Sequence, residues 1–465
     1  MSFTKFGKAL CMGALSAGLI FGIASCVESY TVGFLYVTGT VTASTGDNGI
    51  ISGYKIDHNT GRLATINTLP VASGGANPVR AVLTLGSRFL YVLNRGVNGS
   101  GNGECTETNP CENANITEFA VGGNGTLTPE QTFYTQGINP FRLIADTTGS
   151  YLLALDHDAP DSNEYTGQNA TSNSCSLALG GGVTSCGDIT VFKIDQTTGR
   201  LTLVVNAQVT AAGGLPINYF PVPANPVDFV LSGGYVLTLT GAPEPSSFPY
   251  VGGTEVWPYA YGSTSGQLTL SQNSAQPMGI DGGTAIVNAG NVIYVLDNQP
   301  ITIGVTSPQV FPAGLYPGGQ ILPWGVTTGG ALQAETSGIF PDDVNLANPI
   351  QLLLESKGKY LYVANQGNNV TGPNPASGIA GYFLTTSPAY QLSFIADEPS
   401  GTGSGPQCIV EDPSNQYIYE ANQYDSTVTG RLLDPNTGDL DDLRATDSYT
   451  LQGQPTWCLV DGRTG

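Results

Sequence analysis

NPVRAVLTLGSRFLYVLN, residues 77–94, decides how this chain reads, because the same phrase returns in altered form along its length. Its counterparts are NPFRLIADTTGSYLLALD (139–156), NPVDFVLSGGYVLTLT (225–240), NPIQLLLESKGKYLYVAN (348–365) and GPQCIVEDPSNQYIYEAN (405–422), with GGTAIVNAGNVIYVLD (282–297) a weaker copy. Each opens at Asn-Pro or a Gly-bearing equivalent and passes through an apolar strand such as Ala81-Val82-Leu83. After a turn it finishes in a Leu-Tyr-Val-like strand that usually stops at Asn or Asp. Runs that are apolar on both faces predict strands buried between neighbouring sheets.

A hairpin phrase follows each copy. In YKIDHNTGRL, FKIDQTTGRL and LLDPNTGDL the residues Asp57, His58, Asp195, Asp434 and Asn436 read as turn formers. The landmark leucines Leu63, Leu127, Leu201, Leu268, Leu332, Leu392 and Leu440 recur about every 63 residues. Four short strands with their loops fill a unit of that length, which suits a propeller blade and exceeds the roughly 20–30 residues of a solenoid coil. The two ends of the chain complement each other: FLYV (34–37) reads as a second strand lacking its first, and GQPTWCLVDG (453–462) as the missing first strand. The expected fold is all-β, a seven-bladed β-propeller over residues 33–465. Ring closure by N- and C-terminal strands in one blade would leave no open sheet edge.

Composition supports this and narrows function. Asp, Glu, Lys and Arg make up 11% of the 465 residues, well under the usual quarter or so, which disfavours long charged helices. The net charge of −21 arises from only 15 Lys and Arg rather than from an acidic tail. No basic run exists to track a phosphate backbone, so nucleic acid is not an expected partner. With two histidines, His58 and His157, haem, copper and multi-His zinc chemistry are disfavoured as well.

Lys5 and Lys8 precede an apolar run from Ala9 to Ala24, and Ile23-Ala24-Ser25-Cys26 resembles a bacterial lipobox. The expectation is a signal peptide over 1–25, acylation of Cys26, and a lipidated tether over 26–32 that anchors an exported protein to a membrane, in the periplasm or at the cell surface. Cys105 with Cys111, Cys175 with Cys186, and Cys408 with Cys458 are the expected disulfides of an oxidising compartment.

First-strand starts and second-strand ends fall on one face of such a ring, and so do the long insertions 95–114, 157–187, 241–253, 298–318 and 366–377. The segment 214–225, with Tyr219 and Phe220, joins them. Loops held by a rigid scaffold are where function concentrates. Around the mouth stand Arg80, Arg142, Asp228, Thr284, Gln351, Cys408 and Trp457 from strand starts, and Asn94, Asp156, Asp297, Asn365 and Asn422 from strand ends. Arg80 and Arg142, side by side, can hold a carboxylate or phosphate bidentately, or can pair with Asp156 or Asp228. Asp156-His157-Asp158, with Asp161 nearby, can supply a general base, bind a divalent cation such as calcium or magnesium, or simply form a solvated loop. No other cofactor is expected. Trp257 and Trp324 follow the apolar pattern of third strands and are expected to pack between blades.

Three features together resemble the lactonase family of 6-phosphogluconolactonase-like seven-bladed propellers and the related YVTN-repeat surface propellers, over residues 33–462. They are the Pro-initiated strands, the strand ends Leu90–Asn94, Leu361–Asn365 and Ile418–Asn422, and the hairpins Asp57–Leu63, Asp195–Leu201 and Asp434–Leu440. That resemblance implies hydrolysis of a lactone or sugar derivative. Arg80 and Arg142 would hold its anionic end, with Asn94, Asp297, Asn365 and Asn422 as further substrate contacts and Asp156, His157 or Asp228 activating water. Arg80 and Arg142 stand where members often carry His, and Arg95, Gln366 and Gln423 stand where an acid often follows the Asn. The alternative expectation is a non-catalytic scaffold of the cell envelope that holds a glycan, peptide or protein on its looped face.

Overall fold

The computed structural model describes residues 30–462 apart from 42–47, 85, 87, 99–110, 161–173, 181, 212–213, 242–252, 271–274, 304–312, 336–339, 368–375, 387–388, 397–398 and 444–446. The expected signal segment, Cys26, Cys105 and Asp161 lie outside the described residues.

Seven antiparallel sheets, each with a four-stranded path, follow one another along the chain as blades. Blade 1 runs from Gln454–Asp461 through Thr31–Thr40 and Gly49–Asp57 to Leu63–Thr65. The inner strands of blades 2 to 7 are Pro78–Leu83, Ile138–Ala145, Pro226–Ser232, Gly283–Asn288, Pro349–Leu354 and Pro406–Glu411. In blade 1 the last strand of the chain pairs with the first, setting Leu459 opposite Tyr36, Cys458 opposite Val37 and Trp457 opposite Thr38. Each inner strand touches the next, and Gln454–Asp461 touches those of both blade 7 and blade 2, so contacts run unbroken round the ring.

Side-chain alternation explains the core. Successive strand residues face opposite sides. From Thr31–Thr40, Phe34 and Tyr36 pack toward Leu90 and Val92 of blade 2, while Leu35 and Val37 pack toward Tyr417 and Tyr419 of blade 7. Second strands are covered on both faces: every residue of Phe89–Asn94, Val292–Asp297, Tyr360–Asn365 and Tyr417–Asn422 is buried. Trp257 and Trp324 border two of the inter-blade clusters.

Tyrosines of these strands also staple neighbouring blades. Tyr36 donates to the Gly125 carbonyl at 2.9 Å, Tyr362 to Gly438 at 2.6 Å and Tyr419 to Gly61 at 2.6 Å, and Tyr91 reaches Gly199 in the same way. Gly61, Gly199 and Gly438 sit in the Thr-Gly hairpins, whose turns are held by Asp57, Asp195 and Asp434 accepting backbone N–H bonds, and Gly125 sits in an Asn-Gly turn. Glycine is required at Gly61 twice over: its φ is +66°, and a Cβ would fall 2.4 Å from the Tyr417 ring.

Two disulfides are formed among the described residues. Cys175–Cys186 ties the short helix α1, Ser174–Leu179, to the edge of blade 3, and Cys408–Cys458 ties the inner strands of blades 7 and 1. Cys111 is disulfide-bonded too.

Candidate functional site

Register slips by one residue between the inner and second strands of every blade. The residues left without a partner are Val79, Phe141, Val227, Thr284, Ile350, Gln407 and Thr456. A bulge sets two residues against one and turns the strand locally. Both the bulged residue and the one after it therefore face the axis in six blades, where they line a cavity of about 490 Å³. In blade 7 only Gln407 does so, because Cys408 turns away into its disulfide. Thr284 lines the cavity as a bulged residue, and Ala285 is the register equivalent of Arg80.

One half of this cavity is cationic. Arg80 Nη2 lies 3.6 Å and Arg142 Nε 3.3 Å from the same oxygen, Oδ1 of Asp228. The Arg142 contact is at ion-pair distance without hydrogen-bond alignment. Asp228 is held in turn by the backbone N–H of Phe229 at 3.0 Å and of Ile286 at 3.2 Å. Arg95 joins the lining from the end of the second strand of blade 2, where its own N–H binds the Asn77 carbonyl at 2.9 Å. His157 occupies the corresponding place in blade 3, its ring 4.2 Å from that of Phe141. Burial first, then repulsion by Arg95 and Arg142, lowers its pKa to about 3, so the imidazole is neutral at physiological pH. Burial and Arg142 also lower the proton affinity of Arg80, and Asp228 partly restores it.

The other half is amide. Gln351 and Gln407 line it: Gln351 accepts the Ile409 N–H at 3.0 Å, and Gln407 accepts at 2.8 Å from Gln366, which lies outside the lining and also donates to Gln423 at 3.0 Å. Cations on one wall and uncharged hydrogen-bonding groups on the other suit a ligand with one anionic and one hydroxylated end.

The sequence model described as a lactonase, seven-bladed beta-propeller, matches residues 47–173 and 327–460, together more than half of the chain. The chain belongs to the lactonase family. No curated protein matches it by sequence. Among solved structures, the periplasmic gluconolactonase of Pseudomonas aeruginosa is 15% identical, with 92% of this chain and 99% of that one covered and a TM-score of 0.61. A candidate 6-phosphogluconolactonase from Bacteroides fragilis is 16% identical, with 92% and 98% covered and a TM-score of 0.60. A protein from Lactobacillus plantarum is 15% identical, with 93% and 99% covered and a TM-score of 0.59. At such identities the likeness establishes a shared fold.

In this lactonase-family propeller, Arg80, Arg142, Asp228 and His157 converge, with Thr284, Gln351 and Trp457 beside them. Asp156 does not join them. It precedes His157 on the strand Tyr151–Asp158 and faces the other way. There it is fully buried, accepts from Thr190 at 3.3 Å and lies against Asp188. Asp158 is likewise turned away, with Asn139 at 3.4 Å. Among the described residues, no group of three or more His, Cys, Asp or Glu side chains is placed to hold a metal ion.

Asn94, Asp297, Asn365 and Asn422 lie outside the cavity lining and are buried inside their blades. There Asn94 donates to Asn115 at 3.0 Å, Asp297 accepts from Gln320 at 2.9 Å and Asn422 donates to Thr429 at 3.0 Å. Tyr219 and Phe220 pack inside blade 3 and its disulfide-bonded loop. Sequence reasoning met Arg95 only as a departure from the family pattern and placed neither it nor Phe141 at the site. The available signal was an arginine directly after the strand-closing Asn94 in a chain poor in basic residues.

Proposed function

We propose that this chain is an exported lipoprotein that hydrolyses a lactone, of a sugar or a related acid, in its axial cavity. The observation carrying the reading is the convergence of Arg80, Arg95 and Arg142 with a neutral His157. Water attack on a lactone carbonyl develops an oxyanion, and breaking the ring C–O bond leaves a hydroxy-carboxylate. Guanidinium groups fixed at the site stabilise both charges without reorganising. His157 is the general base in this reading, because Asp228 is committed to two arginines and two backbone N–H groups. Burial is the larger cause of the low proton affinity of His157 and persists with substrate bound; an anionic substrate that offsets Arg95 and Arg142 relieves the smaller one, their repulsion, and strengthens the base in part. The glutamines opposite would take the hydroxyl groups.

Membership of the lactonase family and a shared fold with a periplasmic gluconolactonase support the reaction class. Disulfides and the lipobox-like Ile23-Ala24-Ser25-Cys26 support export and lipid anchoring. The test is acid release by the purified mature domain across a panel of lactones, with and without a chelator. Turnover that falls at least tenfold in Arg142→Ala is expected. A second reading, a scaffold that holds its ligand without turnover, is favoured by the commitment of Asp228 and the weak basicity of His157. Retention of the acid products with no hydrolysis anywhere in the panel would select it.

A further inference from the structure

Arg80 and Arg142 repel each other, so something must hold two guanidinium groups at one cavity wall. Asp228 is one restraint. The other is an aromatic face: the guanidinium carbon of Arg80 lies 3.5 Å from the centroid of the Trp457 ring. At that distance the indole covers one face of the guanidinium, and the donors that remain point outward in its plane. One of them, Nη2, lies 3.6 Å from Asp228 Oδ1.

Trp457 is itself well held. Its carbonyl accepts from Thr38 Oγ1 at 3.4 Å, and Thr456 beside it pairs with the same hydroxyl at 3.1 Å. Cys458, the next residue, is bonded to Cys408 of blade 7. The backbone at Trp457 is therefore anchored from blades 1 and 7, and its ring packs against the inter-blade clusters on both sides of blade 1, whereas the arginine it covers comes from blade 2.

We infer that Trp457 is a positioning residue for an oxyanion site. It acts through Arg80, holding that guanidinium flat so that its edge meets a planar carboxylate or a phosphate in the cavity. The inference rests on the cavity being the anion-binding site proposed above, and it adds that the last strand of the chain completes that site. Anion recognition then depends on a closed ring.

The test titrates the full mature domain with gluconate and with inorganic phosphate by calorimetry. The proteins compared are wild type, Trp457→Phe, Trp457→Leu, Trp457→Ala, Arg80→Ala and the Arg80→Ala/Trp457→Ala double variant. Loss of a desolvated cation–π contact predicts about tenfold weaker binding for Trp457→Ala. Trp457→Leu keeps apolar bulk in the strand but no π face, and it should weaken binding similarly even if the Ala variant does not fold. Trp457→Phe should restore most of the affinity. In the Arg80→Ala background the Trp457→Ala change should add nothing. Wild-type affinity in the Leu variant, or additive losses in the double variant, would overturn the positioning role while leaving the anion site intact. Failure of wild type to bind either probe would overturn both.

Discussion

His157 shows how far neighbours decide the chemistry of one side chain. Burial, Arg95 and Arg142 all disfavour its charged form and bring its pKa to about 3. The base form therefore persists down to acid pH, and protonation removes it only as pH falls through that value. On the acid limb, kcat/KM for lactone hydrolysis should stay flat from pH 8 to about pH 4, where an ordinary histidine would lose activity below about 6.5. A pH–rate profile of the purified domain checks this, and a bend near 6.5 would assign the base elsewhere. His157→Gln should lower kcat by about 10²-fold or more with little change in KM, as loss of a general base does.

At the scale of the element, the blades serve as controls for one another. The strand-closing position and its neighbour on the third strand are Asn94 with Asn115 in blade 2, and Asp297 with Gln320 in blade 5. Each pair supplies an amide donor. Blade 3 instead sets Asp156 against Asp188, both fully buried, with burial raising Asp156 to about 7 and burial together with Asp156 raising Asp188 well above the usual carboxylate range. Two carboxyl groups need a proton between them to do what the amides do. Asp156→Asn should restore a donor and stabilise the protein at pH 8 by about 1–3 kcal/mol, with little effect at pH 4. Urea denaturation at both pH values tests it, and equal effects would rule out a shared proton. The tyrosine staples are a separate case: Tyr419→Phe removes only the bond to the Gly61 carbonyl and should cost about 1 kcal/mol, visible as a lower midpoint at an unchanged slope.

For the whole molecule, linkage runs the same way. Burial raises Asp156 to about 7, Asp342 to about 6 and Glu420 to about 8. With pKa values above those of the unfolded chain, these groups bind protons more tightly when folded. Their contribution is complete below about pH 4 and is lost as pH rises through about 6 to 8. The net charge of −21 adds self-repulsion in the same direction. Thermal unfolding should therefore occur at a higher temperature at pH 5 than at pH 8, and the reverse order would refute the protonated state of the buried acids. Removal of residues 453–465 should strip the inner strand from blade 1 together with Trp457 and the Cys408–Cys458 bond. Cooperative unfolding and phosphate binding should then be lost together, which denaturation and calorimetry on the truncated chain would show.

Repeats written in the chain determined the architecture. Pro-initiated strands, Leu-Tyr-Val runs and Thr-Gly hairpins are local signals, and each blade forms from neighbours in sequence. The fit between 34–37 and 453–462 even marked which strands share a blade. Arg80 and Arg142 were legible as a pair because they occupy one position in successive repeats. Their joint partner Asp228 was an alternative to Asp156, and only the fold separated the two. Whether a polar residue faces the axis or the inside of its blade turns on strand alternation and a one-residue bulge. That is why Asp156 and His157, adjacent in the chain, part company, and why Arg95 joins the cavity while Asn94 does not. The slip falls directly after the strand-opening Pro or Gly in every blade, yet only the pairing of inner with second strands reveals it, because the local phrase reads equally as an unbroken strand.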